Sequence, residues 1–159
     1  MKQGFTLMEI LIVVAMIGIL SYLAVPVSIN FFRSQAVESA RTDLIEILGR
    51  ARHNALLQKG DKNWGVYIQD IDGTLSAVTL YKGNSYASRL SSATNDEKYD
   101  QVGNLSIKSS GSSHLASGDI NFTKLTGYTN ATGTLTINYT DNSESRELII
   151  DDFGNAYRH

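Results

Sequence analysis

The chain of 159 residues contains no cysteine. Disulfides, thiol chemistry and zinc–thiolate sites are excluded together. The compartment stays open, because an exported domain can do without disulfides. Clustered Lys and Arg are missing too. The net charge is −2, and residues 60–159 carry eight basic and twelve acidic side chains, a net −4. That sign argues against broad contact with a phosphate backbone, which needs a basic stripe. No nucleophile elbow, P-loop or paired catalytic carboxylate occurs. His53, His114 and His159 are scattered, without the spacing of a metal site or a catalytic pair. The expectation is a protein that is not an enzyme and holds no cofactor or metal.

What is present divides into unlike parts. A mean hydropathy of −0.14 averages an almost wholly apolar stretch, residues 5–27, with a region rich in Ser, Thr, Asn, Gly and Tyr from residue 60 onward. As a helix, Phe5 to Val27 covers ~34 Å at ~1.5 Å per residue, enough for the hydrocarbon core of a bilayer. The sequence after it, VPVSINFFRSQ, offers no A-x-A-like cleavage site, so the segment is expected to stay attached. Lys2 and the amino terminus would remain cytoplasmic, with the rest translocated.

Glu9 is out of place in this stretch. An ionisable group within a span costs ~2.5–3.5 kcal/mol on insertion scales, and it is a functional hypothesis by default. The nearest basic side chain on the translocated side, Arg33, is ~36 Å along the helix. One other cation could neutralise Glu9: a free α-amine at Phe5, created by cutting the chain after Gly4. That amine would sit one helical turn away or on a neighbouring molecule. The plainer reading is an acid tolerated near the interface.

Gly4-Phe5-Thr6-Leu7-x-Glu9, followed by a long apolar run, resembles the class III signal of type IV prepilins and pseudopilins. The resemblance implies a leader, residues 1–4, removed by a prepilin peptidase between Gly4 and Phe5, and N-methylation of the new Phe5 amine. It implies that Glu9 pairs with the terminal amine of an adjacent subunit during filament assembly. The partners implied are the peptidase, other pilin or pseudopilin subunits and the inner membrane. The chain would cross that membrane once at residues 5–27 with its head outside the cytoplasm. Once assembled, it would lie in a periplasmic or extracellular filament.

Pro26 removes a backbone hydrogen bond and clashes with the carbonyl of Tyr22, and Gly18 is a second weak point. A kink is expected there, or, as the resemblance implies, local unwinding from Gly18 to Pro26 in a filament. Beyond Pro26 the apolar residues Ile29, Phe32, Ala36, Ala40, Leu44, Ile47, Ala51 and Ala55 recur every three or four positions. They form one stripe of an amphipathic helix over residues 28–59. Glu38/Arg41 and Glu46/Arg50 support an exposed opposite face, and Gly60 is a plausible stop. Arg50, Arg52 and His53 read as a solvated helix face or a basic patch.

Residues 60–159 read as a β-rich head. WGVYIQD-IDG-TLSAVTLYK predicts a hairpin with a type I′ turn at Asp72-Gly73. Residues 83–118 read as a long loop interrupted by one short strand, Leu105 to Lys108. DINFTKLTG supplies another strand, and TGTLTINYTDNSESRELIID a second hairpin around Asp141 to Ser145. Phe153-Gly154-Asn155 is a turn before a last short segment. The class is α+β: a long N-terminal helix on a mostly antiparallel sheet of about six strands.

The order ARHNALLQKG, WGVYI, INFTKLTG, TLTINY, RELIIDDFGN is similar to the GspH/FimT-type minor pseudopilins. Some members of that group bind DNA through a basic C-terminal stretch. Here that stretch is FGNAYRH, with Arg158 the sole firm positive charge and Asp151-Asp152 upstream, which argues against DNA as a partner. Asp70-x-Asp72-Gly73 lacks the rest of a calcium loop. Asp96, Glu97 and Asp100 cluster without a recognisable ligand spacing. Asn104, Asn121, Asn130 and Asn138 each begin an N-x-[ST] triplet, a pattern that composition alone produces here. The function expected is a structural subunit, a minor one, of a type IV pilus-like filament or type II secretion pseudopilus. The alternative is a membrane-anchored binding module whose head grips DNA or a surface.

Overall fold

The computed structural model describes residues 5–89, 96–100 and 104–159, with their side chains except at 23–27. Its first element is α1, Leu7–Leu56. Thr6 caps it: its hydroxyl oxygen accepts from the Glu9 N–H at 3.3 Å, satisfying one of the orphan donors of a helix start. The backbone stays helical across Gly18 and Pro26. The helix stops earlier than Gly60. Lys59 N–H donates to Asn54 O and Gln58 N–H to Ala55 O. Gln58 is left-handed at φ 52. This is a Schellman cap with Gln58 in the place usually held by glycine. Gly60, at φ +74, serves the turn that follows.

Among the described residues eight strands follow, and all named pairings are antiparallel. They are β1 (Trp64–Ile68), β2 (Ala77–Lys82), β3 (Glu97–Asp100), β4 (Leu105–Gly111), β5 (Asp119–Phe122), β6 (Gly133–Tyr139), β7 (Ser145–Ile150) and β8 (Ala156–Arg158). A single helical turn, α2 (Ser113–Ala116), separates β4 from β5. The strands form two four-stranded sheets, ordered β3-β2-β1-β5 and β4-β6-β7-β8. The long loop expected over 83–118 therefore holds two strands and a helical turn.

The Asp72-Gly73 hairpin turn is also revised. β1 and β2 are joined by residues 69–76, in which Asp70 and Asp72 take positive φ. That connection runs to the second sheet: Asp72 N–H donates to Ile107 O, Leu75 N–H to Leu105 O and Ile107 N–H to Gly73 O. Asp72 Oδ1 accepts from Ser109 N–H at 2.9 Å. The segment covers the free edge of β4, which otherwise would present unpaired backbone groups.

The lower half of α1 lies across both sheets, against β1 of the first and β6 and β7 of the second. Val37, Leu44, Leu48, Ala51 and Ala55 are fully buried against Val66, Leu80, Ile107, Ile120, Phe122, Leu135, Ile137 and Leu148. Each fully buried leucine contributes roughly 1.5–3 kcal/mol. Ile29 and Phe32, the first members of the expected stripe, are 45% and 69% exposed. Full burial starts at Val37; above it the head meets the helix through the polar contacts of Arg33 with Asp141 and of Ser34 with Arg146.

Candidate assembly surface

The exposed surface of the upper helix is apolar. Phe5, Leu7, Val14, Ile19 and Leu20 each leave half or more of their area uncovered. Nothing among the described residues folds back on them. Gly18 likewise has open space where a Cβ would project. Phe31 and Phe32, in edge-to-face contact at 6.1 Å, close this surface just above the head. A monomer in water rarely exposes so large an apolar patch, which marks a partner or a lipid environment.

Glu9 lies in the first turn of this helix. Among the described residues its carboxylate has no ion pair or hydrogen bond. It occupies the third helical position after Thr6, which makes Thr6-x-x-Glu9 the pattern of a capping box. Half of that box is formed, by the Thr6 hydroxyl, and the Glu9 side chain is left free. The pattern was visible in the sequence and is compatible with a second role for the carboxylate. Phe5 immediately precedes the cap. Gly4 and the leader lie outside the described residues, as does the side chain of Pro26.

Below, ion pairs and hydrogen bonds fasten the head to the helix. Glu38 is the centre of the fastening. Its carboxylate accepts from Arg41 at 2.6 Å and lies 3.7 Å from Arg146 and 3.6 Å from Arg158. Arg146 also donates to Ser34 Oγ at 3.1 Å. Hydrogen bonding from Arg41, with the charges of Arg41, Arg158 and Arg146, holds the Glu38 carboxyl below its ordinary value. Arg33 pairs with Asp141 at 3.0 Å and faces the Tyr139 ring. These contacts clamp β7, β8 and the β6–β7 loop onto the helix where it leaves the head.

Arg50, Arg52 and His53 do not act as one patch. Arg50 pairs with Glu97 at 2.7 Å and hydrogen-bonds Tyr99, joining β3 to the helix. The Tyr99 hydroxyl and then Arg50 hold the Glu97 carboxyl below its ordinary value. Arg52 Nε donates to Phe153 O at 3.0 Å. Asp96 pairs with Arg89 and Asp100 with Lys98, so the three acids of that loop each face a cation. Among the described residues no group of three or more His, Cys, Asp or Glu could hold a metal ion. Of the N-x-[ST] asparagines, Asn121 and Asn138 are buried, while Asn104 and Asn130 are exposed.

One network in the head has no sequence signal. Tyr81 is fully buried; its hydroxyl bonds Asp119 and accepts from Asn121 Nδ2 at 3.1 Å. Asp119 Oδ2 accepts from Tyr86 N–H at 3.0 Å. The Tyr86 ring stacks on Tyr67 at 3.8 Å and carries the Arg89 guanidinium on its other face. Burial and the Asp119 bond push the Tyr81 phenol far above its ordinary value.

Residues 1–23 match a family model described as the prokaryotic N-terminal methylation motif. The fold is similar to that of the type IV minor pilin FimU of Pseudomonas aeruginosa, with a TM-score of 0.61 at 19% identity over 81% of this chain and 92% of that one. It is also similar to the minor pseudopilin EpsH of the type 2 secretion system of Vibrio cholerae, with a TM-score of 0.55 at 13% identity over 77% and 95%. Among curated protein sequences nothing matches. The α+β architecture expected from the sequence is thus a pilin fold, and the chain is similar to type IV pilin-like proteins at both its N-terminal motif and its head.

Proposed function

We propose that this chain is a structural subunit, a minor one, of a type IV pilus-like filament or of a type II secretion pseudopilus. The observation that carries the reading is the upper helix: an exposed apolar surface around a free Glu9 carboxylate, fixed to a folded head. The methylation motif over residues 1–23 supports it, as do the two minor-subunit folds that the chain resembles. One is described as a type IV minor pilin and the other as a minor pseudopilin of a type 2 secretion system.

In this reading a prepilin peptidase cuts between Gly4 and Phe5, the Phe5 amine is methylated, and the subunit waits in the inner membrane with its head outside the cytoplasm. Among the described residues no helix is long and apolar enough to cross a membrane. Side chains in the apolar helix are described only from Leu7 to Tyr22, ~24 Å of rise against a core of ~30 Å; residues 23–27 would complete the span. Glu9 then acts as a docking charge. Its cost in lipid is relieved when a neighbour brings an amine, so a misregistered subunit keeps the penalty.

The test is recovery of an epitope-tagged chain with filaments sheared from, or assembled in, its native cell. The tagged chain is expected in the filament fraction when the peptidase is active and in the membrane fraction alone when it is not. Equal partition in both strains would contradict the proposal.

A further inference from the structure

The β4 edge of the second sheet is covered by residues 72–75, but the opposite edge, β8, is bordered by a groove. Its register fixes which backbone groups face outward. Asp151 N–H donates to Asn155 O, and Ile149 pairs with Tyr157 two positions on. Bonded pairs alternate along an antiparallel ladder. Tyr157 therefore spends its N–H and C=O on β7, while Ala156 and Arg158 turn theirs outward.

The groove beside that edge is lined by Ile45, Gly49, Arg52, His53 and Leu56 of α1 and by residues 154–156. Gly49 is exposed in the helix interior, and an added Cβ would meet nothing within 4 Å. Glycine there costs the helix roughly 0.5–1 kcal/mol relative to alanine, and the chain's own packing does not require it. Ala156 packs toward the core and Arg158 reaches Thr42, so both project to the helix side. A residue added opposite Ala156 would project its side chain to the same side, over Gly49. Among the described residues neither Arg52 nor His53 makes an ion pair, although Arg52 Nε donates to Phe153 O and its charge acts on the Asp151 carboxylate.

We propose that β8 and this groove form a strand-addition site for an extended segment of another polypeptide, with an apolar side chain over Gly49 and an acidic residue beside Arg52 and His53. Backbone bonds to Ala156 and Arg158 supply affinity and the Gly49 pocket supplies selectivity. The inference goes beyond the filament reading and does not depend on it.

The test uses the full chain in detergent micelles and a library of random peptides about eight residues long, the usual scale of an added strand. The expected result is enrichment of alternating, acid-flanked sequences whose binding slows amide exchange at Ala156 and Arg158. Gly49→Leu, which improves helix propensity, should weaken that binding about tenfold or more without lowering thermal stability. No enrichment, unchanged exchange at those amides, or equal binding by Gly49→Leu would overturn the proposal. So would protection of the same amides that grows with the chain's own concentration, since the strand would then come from a second copy. Loss of filament recovery with peptide binding intact would refute only the filament reading.

Discussion

Glu9→Leu and Glu9→Gln separate what the carboxylate costs from what it does. The Thr6 hydroxyl caps the backbone N–H of residue 9 at 3.3 Å, so neither substitution removes the cap. The dipole contribution of an acid in the first turn is ~0.3–1 kcal/mol. The charge in a bilayer costs ~2.5–3.5 kcal/mol, so docking is the larger effect. Both variants should enter the membrane at least as well as the parent. Both should lose the relief that an incoming amine provides, which at 1.4 kcal/mol per tenfold is roughly a hundredfold in assembly equilibrium. The assay co-expresses tagged variant and untagged parent at equal levels and compares their ratio in membranes with that in assembled material. Incorporation of Glu9→Leu at the parental ratio would refute a docking role. Failure of either variant to insert would refute the assigned cost.

Leu44→Ala, at a fully buried position, should destabilise the head by about 2–5 kcal/mol, read by denaturant unfolding of the full chain in detergent. Tyr81→Phe leaves Asp119 and Asn121 short of a partner inside the first sheet and should cost about 1–3 kcal/mol in the same assay; a neutral result would mean water replaces the hydroxyl. Acid should loosen the Glu38 clamp. The folded pKa lies below the unfolded one, so its stabilisation is full above ~4.3 and is lost as pH falls through the folded value. Glu38→Gln should lower stability at neutral pH and flatten the acid limb of the stability profile. A profile unchanged by the substitution would place acid sensitivity elsewhere.

The elements legible in the sequence are those set by local pattern. The apolar run and its 3.6-residue continuation give one helix, and the alternation from Gly133 to Ile150 gives a hairpin. Phe153-Gly154-Asn155 gives a turn in which Gly154 sits at φ +75, where a Cβ would lie 2.4 Å from Gly127 O. The misreadings share a physical cause: they depend on partners distant in sequence. β3 reads Glu-Lys-Tyr-Asp, with no apolar alternation, and is held by β2 and by Arg50 of the helix. Asp72-Gly73 carries the signature of a tight turn, yet Asp72 and Gly73 themselves hydrogen-bond Ile107, and Leu75 bonds Leu105. The division of eight strands into two sheets follows from pairing, which periodicity does not encode. At the assembly surface the motif pointed to Glu9, and Thr6-x-x-Glu9 was a readable cap. Of the arginines around Glu38, Arg41 was readable from its i,i+3 spacing; Arg146 and Arg158 were not, because they lie more than a hundred positions from Glu38.

The most direct measurement is the mass of the N-terminal peptide of the chain recovered from its native membrane. A peptide beginning at Phe5 with one added methyl group is the predicted result. A peptide beginning at Met1, from a cell with an active prepilin peptidase, would contradict processing at Gly4–Phe5. The terminal amine that Glu9 is proposed to meet would then not exist.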